Sequence, residues 1–168
     1  MRRRSFFKLG LLGVCTVAAG GAVCRLVCGP APLRRFELDG EARAALAAIV
    51  PAMLGSALPP GTPALARAID GVCTAIHGLP LAQQGEVQDL FGLLALAPAR
   101  RLVAGVQGGW QEADPRQVAA FLQSWRLHRF ATLQTAYLAL HDLILGAWYA
   151  DSASWAAIGY PGPMLDLS

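Results

Sequence analysis

Lysine is nearly absent: Lys8 is the only one in 168 residues, and 13 arginines supply the rest of the positive charge. We read that bias as genomic composition rather than mechanism. Charge of either sign is scarce at 15%, while hydrophobic residues make up 55%, which excludes a chain that stays unfolded throughout and leaves enough apolar surface for one core. The net charge of +3 does not describe the body. Residues 1–29 hold Arg2, Arg3, Arg4, Lys8 and Arg25 and no acid, so the other nine basic residues face 11 acids and the body is net −2. A basic surface for nucleic acid is therefore excluded as the reading of the pI of 8.9.

Metal-binding spacings are missing as well. The four cysteines, Cys15, Cys24, Cys28 and Cys73, form no CxxC or CxxCH, which excludes c-type haem attachment and the common zinc knuckles. Cys24 and Cys28 are open to pairing, lipidation or removal with a leader, and Cys73 between Val72 and Ile76 reads as a small core residue. The histidines, His77, His128 and His141, make no HxxxH, HExxH or ExxH, and none of the four glutamates precedes a histidine by three, which argues against a bundle di-iron centre. His141-Asp142 is the one candidate acid/base pair, but adjacent helical side chains diverge and the two are not expected to face each other. Gly105–Gly109 follows a helix rather than a strand, so it is a helix end and not a phosphate loop; Ser124, Ser152 and Ser154 lack the strand–turn–helix setting of a nucleophile. No catalytic residue, metal ligand or cofactor contact is assigned.

Long apolar runs are also wanting. The longest, Leu9–Cys24, is 16 residues, short of the roughly 20 that span a bilayer, and Gly10, Gly13, Gly20 and Gly21 soften it. A charged flank ahead of such a run is signal-peptide anatomy, and Arg3-Arg4-Ser5-Phe6-Phe7-Lys8 resembles the twin-arginine consensus, with Arg2 where Ser or Thr is usual. Residues 1–29 are thus expected to be an export signal for the twin-arginine translocase, its working residues Arg3, Arg4, Phe6, Phe7 and Lys8. Gly20-Gly21-Ala22 is a usable cleavage site, and Gly21-Ala22-Val23-Cys24 is a poor lipobox. The expected location is periplasmic, with an uncleaved leader as the one route to membrane anchorage.

What is present after residue 29 is helical patterning. Residues 30–38 read as a basic, proline-containing linker. Asp39 is a plausible N-cap ahead of Leu46, Ile49, Val50 and Met53 at helical spacing. Gly55–Gly61 is a loop, Thr62-Pro63 a cap followed by proline, and Leu65, Ile69, Val72, Cys73 and Ile76 one stripe ended by Gly78 and Pro80. Leu81–Ala95 is a third helix with Val87, Leu90, Phe91 and Leu94 inward, and a fourth short one opens at Ala97-Pro98 and runs through Arg101, Leu102 and Val106. Asp114-Pro115 starts another, with Val118, Phe121, Leu122 and Trp125 in phase. Phe130, Leu133, Tyr137, Leu140, Ile144 and Trp148 keep a second phase, so a break is expected near Leu127. No stretch alternates as a strand. The expected fold is all-α, a small bundle of five to six helices over residues 30–168, with an irregular Gly/Pro C-terminal tail. Arg100, Arg101, Arg126 and Arg129 are its exposed basic candidates.

The tail is the most unusual segment. Trp148, Tyr149, Trp155 and Tyr160 crowd against Pro161-Gly162-Pro163, which serves either as a cap folded on the bundle or as a docking strip. The order of twin-arginine leader, helical body, Leu140, Trp148-Tyr149, Trp155 and Gly159-Tyr160-Pro161-Gly162-Pro163 resembles the small subunit, subunit 3, of gluconate 2-dehydrogenase-type flavoprotein dehydrogenases. Between residues 39 and 139 the likeness is helical texture more than motif. The resemblance implies a subunit without a cofactor. A large partner of the glucose-methanol-choline oxidoreductase type holds FAD and oxidises a sugar, sugar acid or alcohol, and a cytochrome takes the electrons. The small subunit supplies the leader, escorts the partner and stays bound. Two other classes stand beside this expectation, an independent exported helical binding protein and an enzyme with an unfamiliar site.

Overall fold

Asp39 sets the first helix: its carboxylate Oδ1 accepts from the Ala42 backbone N–H at 2.7 Å, and Glu41 lies in the first turn, where a negative charge favours the helix dipole. In the computed structural model, which describes residues 35–162 apart from 98–99, 102–104 and 107, five α-helices follow. They are α1 Gly40–Leu54, α2 Thr62–His77, α3 Leu81–Ala95, α4 Pro115–Arg126 and α5 Ala131–Ala150, with no strand among the described residues. Arg3, Arg4, Phe6, Phe7 and Lys8 of the expected export signal, three of the cysteines, Pro163 and part of the expected fourth short helix lie outside the described residues.

Helix α1 is the hub, packing against each of the other four. Its alanines explain why: Ala42, Ala44 and Ala45 are buried beside Leu46, Ile49 and Val50, and small side chains let neighbours approach on several sides at once. A 3₁₀ turn, Gly55–Ala57, then a loop, swing α2 away from α1 by 111°. Helix α2 starts one residue earlier than expected. Gly61, at φ 119°, holds the cap position, and Thr62, the expected N-cap, is the first helical residue. Its stripe of Ala68, Ile69, Val72 and Ile76 faces inward, with Leu65 and Cys73 half-buried at its margin. It packs chiefly on α5, where Gly71 lies against Ala147.

The α3 boundaries and its inward set, Val87, Leu90, Phe91 and Leu94, fall where the spacing puts them. The periodicity gives no role to Gln84, which is 4% exposed and organises this end of the bundle. Its Oε1 accepts from the Phe36 N–H at 3.1 Å, while its Nε2 donates to the Leu79 carbonyl at 2.8 Å and the His77 carbonyl at 3.2 Å. Glu37 N–H donates to Gln88 Oε1 at 2.9 Å, and His77 Nε2 hydrogen-bonds the Phe36 carbonyl at 3.1 Å. Phe36 itself is 2% exposed, meets the His77 ring edgewise and lies tilted against the Phe91 ring. The expected linker 30–38 therefore stops short: Phe36 is part of the core and Leu38 packs half-buried against it, while Glu37 is exposed.

Trp110 opens a second 3₁₀ turn, Trp110–Glu112, against α1, and its Nε1–H satisfies the Leu94 carbonyl at the end of α3 at 2.8 Å. Asp114 caps α4 through the Arg116 N–H at 2.8 Å, with Pro115 at the first helical position. Val118, Phe121, Leu122 and Trp125 are all buried. The expected break falls at Leu127, the C-cap of α4, and α5 starts at Ala131. Phe130, assigned to the inward phase, is instead 55% exposed: it precedes the first helical residue, so the helical phase does not extend back to it.

Candidate functional site

The aromatic tail is wound, not extended. Trp148 sits in the last turn of α5 at 6% exposure and belongs to the core, so it does not join a docking surface. The helical phase that links it to Ile144 wins over its proximity to the tail. Asp151 then starts a 3₁₀ turn, Ser152–Ser154: its Oδ1 accepts from the Ala153 N–H at 2.9 Å, and its carbonyl accepts from the buried Ser154 hydroxyl at 2.8 Å. A further turn, Ala156–Ile158, ends on Gly159 at φ 68°, a left-handed conformation natural to glycine.

Trp155 is the centre of this winding. Its indole N–H returns to the Tyr149 carbonyl at 2.9 Å, its own carbonyl accepts from the Tyr160 N–H at 3.0 Å, and its ring meets that of Tyr160 edge to face at 5.2 Å. Gly162, at φ 95°, lies against the same indole, where a Cβ would come within 3.3 Å of Trp155 Cζ3. The exposed products are Tyr149, Ile158, Tyr160 and Pro161. Of the seven tail residues singled out in sequence, the structure thus places Tyr149, Tyr160 and Pro161 on the surface. Trp155 and Gly162 lie half-buried beneath them, Trp148 is in the core, and Pro163 falls outside the described residues.

His141 Nδ1 lies 3.1 Å from Asp142 Oδ1, so these neighbours do meet, against the sequence expectation. Both side chains lean along the exposed face of α5, where rotamer freedom overcomes the angular separation of the two Cβ atoms. Arg100 is not an exposed cation: its side chain is only 11% exposed and lies 3.5 Å from Glu41. Arg101, Arg126 and Arg129 are exposed. The Cys73 thiol is half-buried, and burial pushes its pKa above the ordinary 9.0, offset in part by Arg43, so it is a poor nucleophile at neutral pH. No group of three metal-ligating side chains occurs among the described residues.

One concavity, of about 340 Å³, lies between α1 and the start of α4. Ala44, Ala47, Ala48, Pro51 and Ala52 form one wall, Trp110 and Val118 another, and Gln111 brings the only polar side chain. Its apolar lining lacks the convergent polar groups that orient a small substrate. Comparison of the chain with protein-family models, with curated proteins and with solved structures gives no match in any of the three.

Proposed function

We propose that this chain is the non-catalytic small subunit, or export escort, of a periplasmic flavin-dependent sugar or alcohol dehydrogenase, to which it supplies a twin-arginine leader and a docking surface. The observation that carries the reading is the tail. The string Trp148-Tyr149, Trp155, Gly159-Tyr160-Pro161-Gly162 resembles that family, and it is wound so that Tyr149 and Tyr160 stand exposed over the fixed indole of Trp155. Amphipathic aromatics held by internal hydrogen bonds lose little freedom on binding and are the commonest anchors of protein interfaces. Arg3-Arg4 ahead of a weakly apolar run supports the export half of the role.

The test is a search of the neighbouring reading frames for a large flavoprotein that lacks a leader, followed by its co-expression with this chain. Tyr149→Ala combined with Tyr160→Ala is expected to leave the melting temperature of the chain unchanged and to abolish co-purification of the flavoprotein. Undiminished co-purification by the folded double variant would remove the tail from the interface. A neighbouring flavoprotein with its own leader would remove the escort role.

The alanine-walled groove favours the second reading, an independent exported binding protein. A small apolar ligand retained by the chain without any flavoprotein partner would support it over the first.

A further inference from the structure

We propose that the turn between α4 and α5 is a contact site for an anionic lipid bilayer. This goes beyond the escort role and does not depend on it. The turn reads Arg126-Leu127-His128-Arg129-Phe130. Leu127 is 71% exposed and Phe130 55%, the former the most exposed large apolar side chain among the described residues. Arg126 and Arg129 flank them, and among the described residues neither guanidinium forms an ion pair; Arg129 instead lies over the Phe130 ring at 4.7 Å. The surrounding sequence contains no acid from Pro115 to His141, in a body that is acidic overall.

Three features favour a bilayer over a protein partner. The first is charge: two arginines without an ion pair among the described residues, beside two exposed apolar tips, match a surface that offers phosphates and hydrocarbon within a few ångströms of each other. The second is size. A membrane contact needs only a few inserted side chains, which a five-residue turn with two exposed apolar tips supplies. The third is the backbone. Leu127 N–H donates to the Gln123 carbonyl at 3.1 Å, His128 N–H to the Trp125 carbonyl at 3.2 Å and Phe130 N–H to His128 Nδ1 at 3.1 Å, while the His128 carbonyl accepts from Gln134 Nε2 at 2.7 Å. Polar groups already satisfied within the turn need not be stripped of water when it enters the interface, the largest obstacle to seating a loop there.

The experiment uses the full chain. Its apolar segment 9–24 is expected to bind vesicles of any composition, so the readout must be local to the turn. Leu127→Trp places an indole at an exposed position, and its emission is taken as the difference from the wild-type chain. With vesicles of equal parts phosphatidylglycerol and phosphatidylcholine, the added emission should shift to the blue and be quenched by brominated acyl chains. With phosphatidylcholine alone both effects should be lost. Arg126→Gln with Arg129→Gln on the same background should weaken insertion by about 25-fold, since each arginine near an anionic surface contributes about fivefold. Phe130→Trp provides a second, independent reporter of the same turn. Unquenched, unshifted emission from both reporters on anionic vesicles overturns the proposal, as does quenching indifferent to phosphatidylglycerol or to the arginines. A shift seen only when the flavoprotein partner is added assigns the turn to a protein interface and equally overturns it.

Discussion

Gln84 does more for this fold than its polarity suggests. One buried amide closes three backbone groups belonging to three places in the chain: the N–H of Phe36 ahead of α1, the last carbonyl of α2, and the carbonyl of Leu79 in the loop to α3. Gln84→Leu keeps the volume and removes every partner. A buried backbone group left unsatisfied costs about 1–3 kcal/mol, so the variant should lose at least about 2 kcal/mol in a denaturant titration followed by circular dichroism. Gln84→Glu retains the acceptor for Phe36 but not the two donations, and should fall short of wild type as well. A Gln84→Leu chain as stable as wild type would show that water replaces the amide. Nothing in the sequence marks this residue, because hydrophobic spacing assigns polar residues to the outside. The same blindness hid Trp110, isolated in a glycine-rich loop, and Phe36, which precedes the first cap.

At the scale of elements, the helices with strong apolar stripes were legible. The α3 limits, the Asp39 and Asp114 caps and the break at Leu127 all follow from local chemistry that tertiary contacts leave undisturbed. The tail was legible only as composition. Aromatics with Gly and Pro fit an extended strip as well as a wound one, and the choice depends on the indole of Trp155 reaching back six residues to Tyr149. Trp155→Ala should therefore loosen residues 152–162 alone. Amide exchange in that segment should accelerate while α1–α4 keep their protection; uniform acceleration through the bundle would mean that the tail caps the core. The α2–α5 crossing offers a test of opposite sign. A Cβ at Gly71 would lie 3.6 Å from Ala147 Cβ, an ordinary contact. Alanine is favoured over glycine inside a helix by about 1 kcal/mol, so Gly71→Ala should raise the melting temperature by a few degrees. Gly71→Leu should lower it by prising α2 from α5. A destabilised Gly71→Ala would show the crossing to be tighter than this spacing implies.

For the whole molecule, the all-α class could be read from the sequence, since no segment alternates with period two and every apolar run repeats with helical spacing. The proposed role draws on no cluster of reactive side chains among the described residues and rests on the two ends of the chain. Export gives the most direct test of one end. Replacing Arg3 and Arg4 with lysine keeps the charge but replaces the planar guanidinium pair with ammonium groups of different donor geometry. The double variant should accumulate in the cytoplasm when fractions are immunoblotted; periplasmic accumulation at the wild-type level would reject the twin-arginine assignment.

The seating of Phe36 also has a mechanical side. Under tension applied at the N-terminus, the first described contacts to take the load are the bonds from Phe36 and Glu37 to Gln84 and Gln88 on α3 and from the Phe36 carbonyl to His77 at the end of α2. Force thus reaches two helices at once through a buried ring, instead of peeling α1 from its first turn. Bonds that share a load must break together, so the domain should resist being threaded apart from this end. Phe36→Ala removes the ring that keeps them aligned. In single-molecule pulling from the N-terminus it should lower the rupture force, while pulling between Gly40 and the C-terminus should show a much smaller difference between variant and wild type. Equal rupture forces for the two chains under N-terminal tension would place the mechanical clamp elsewhere in the bundle.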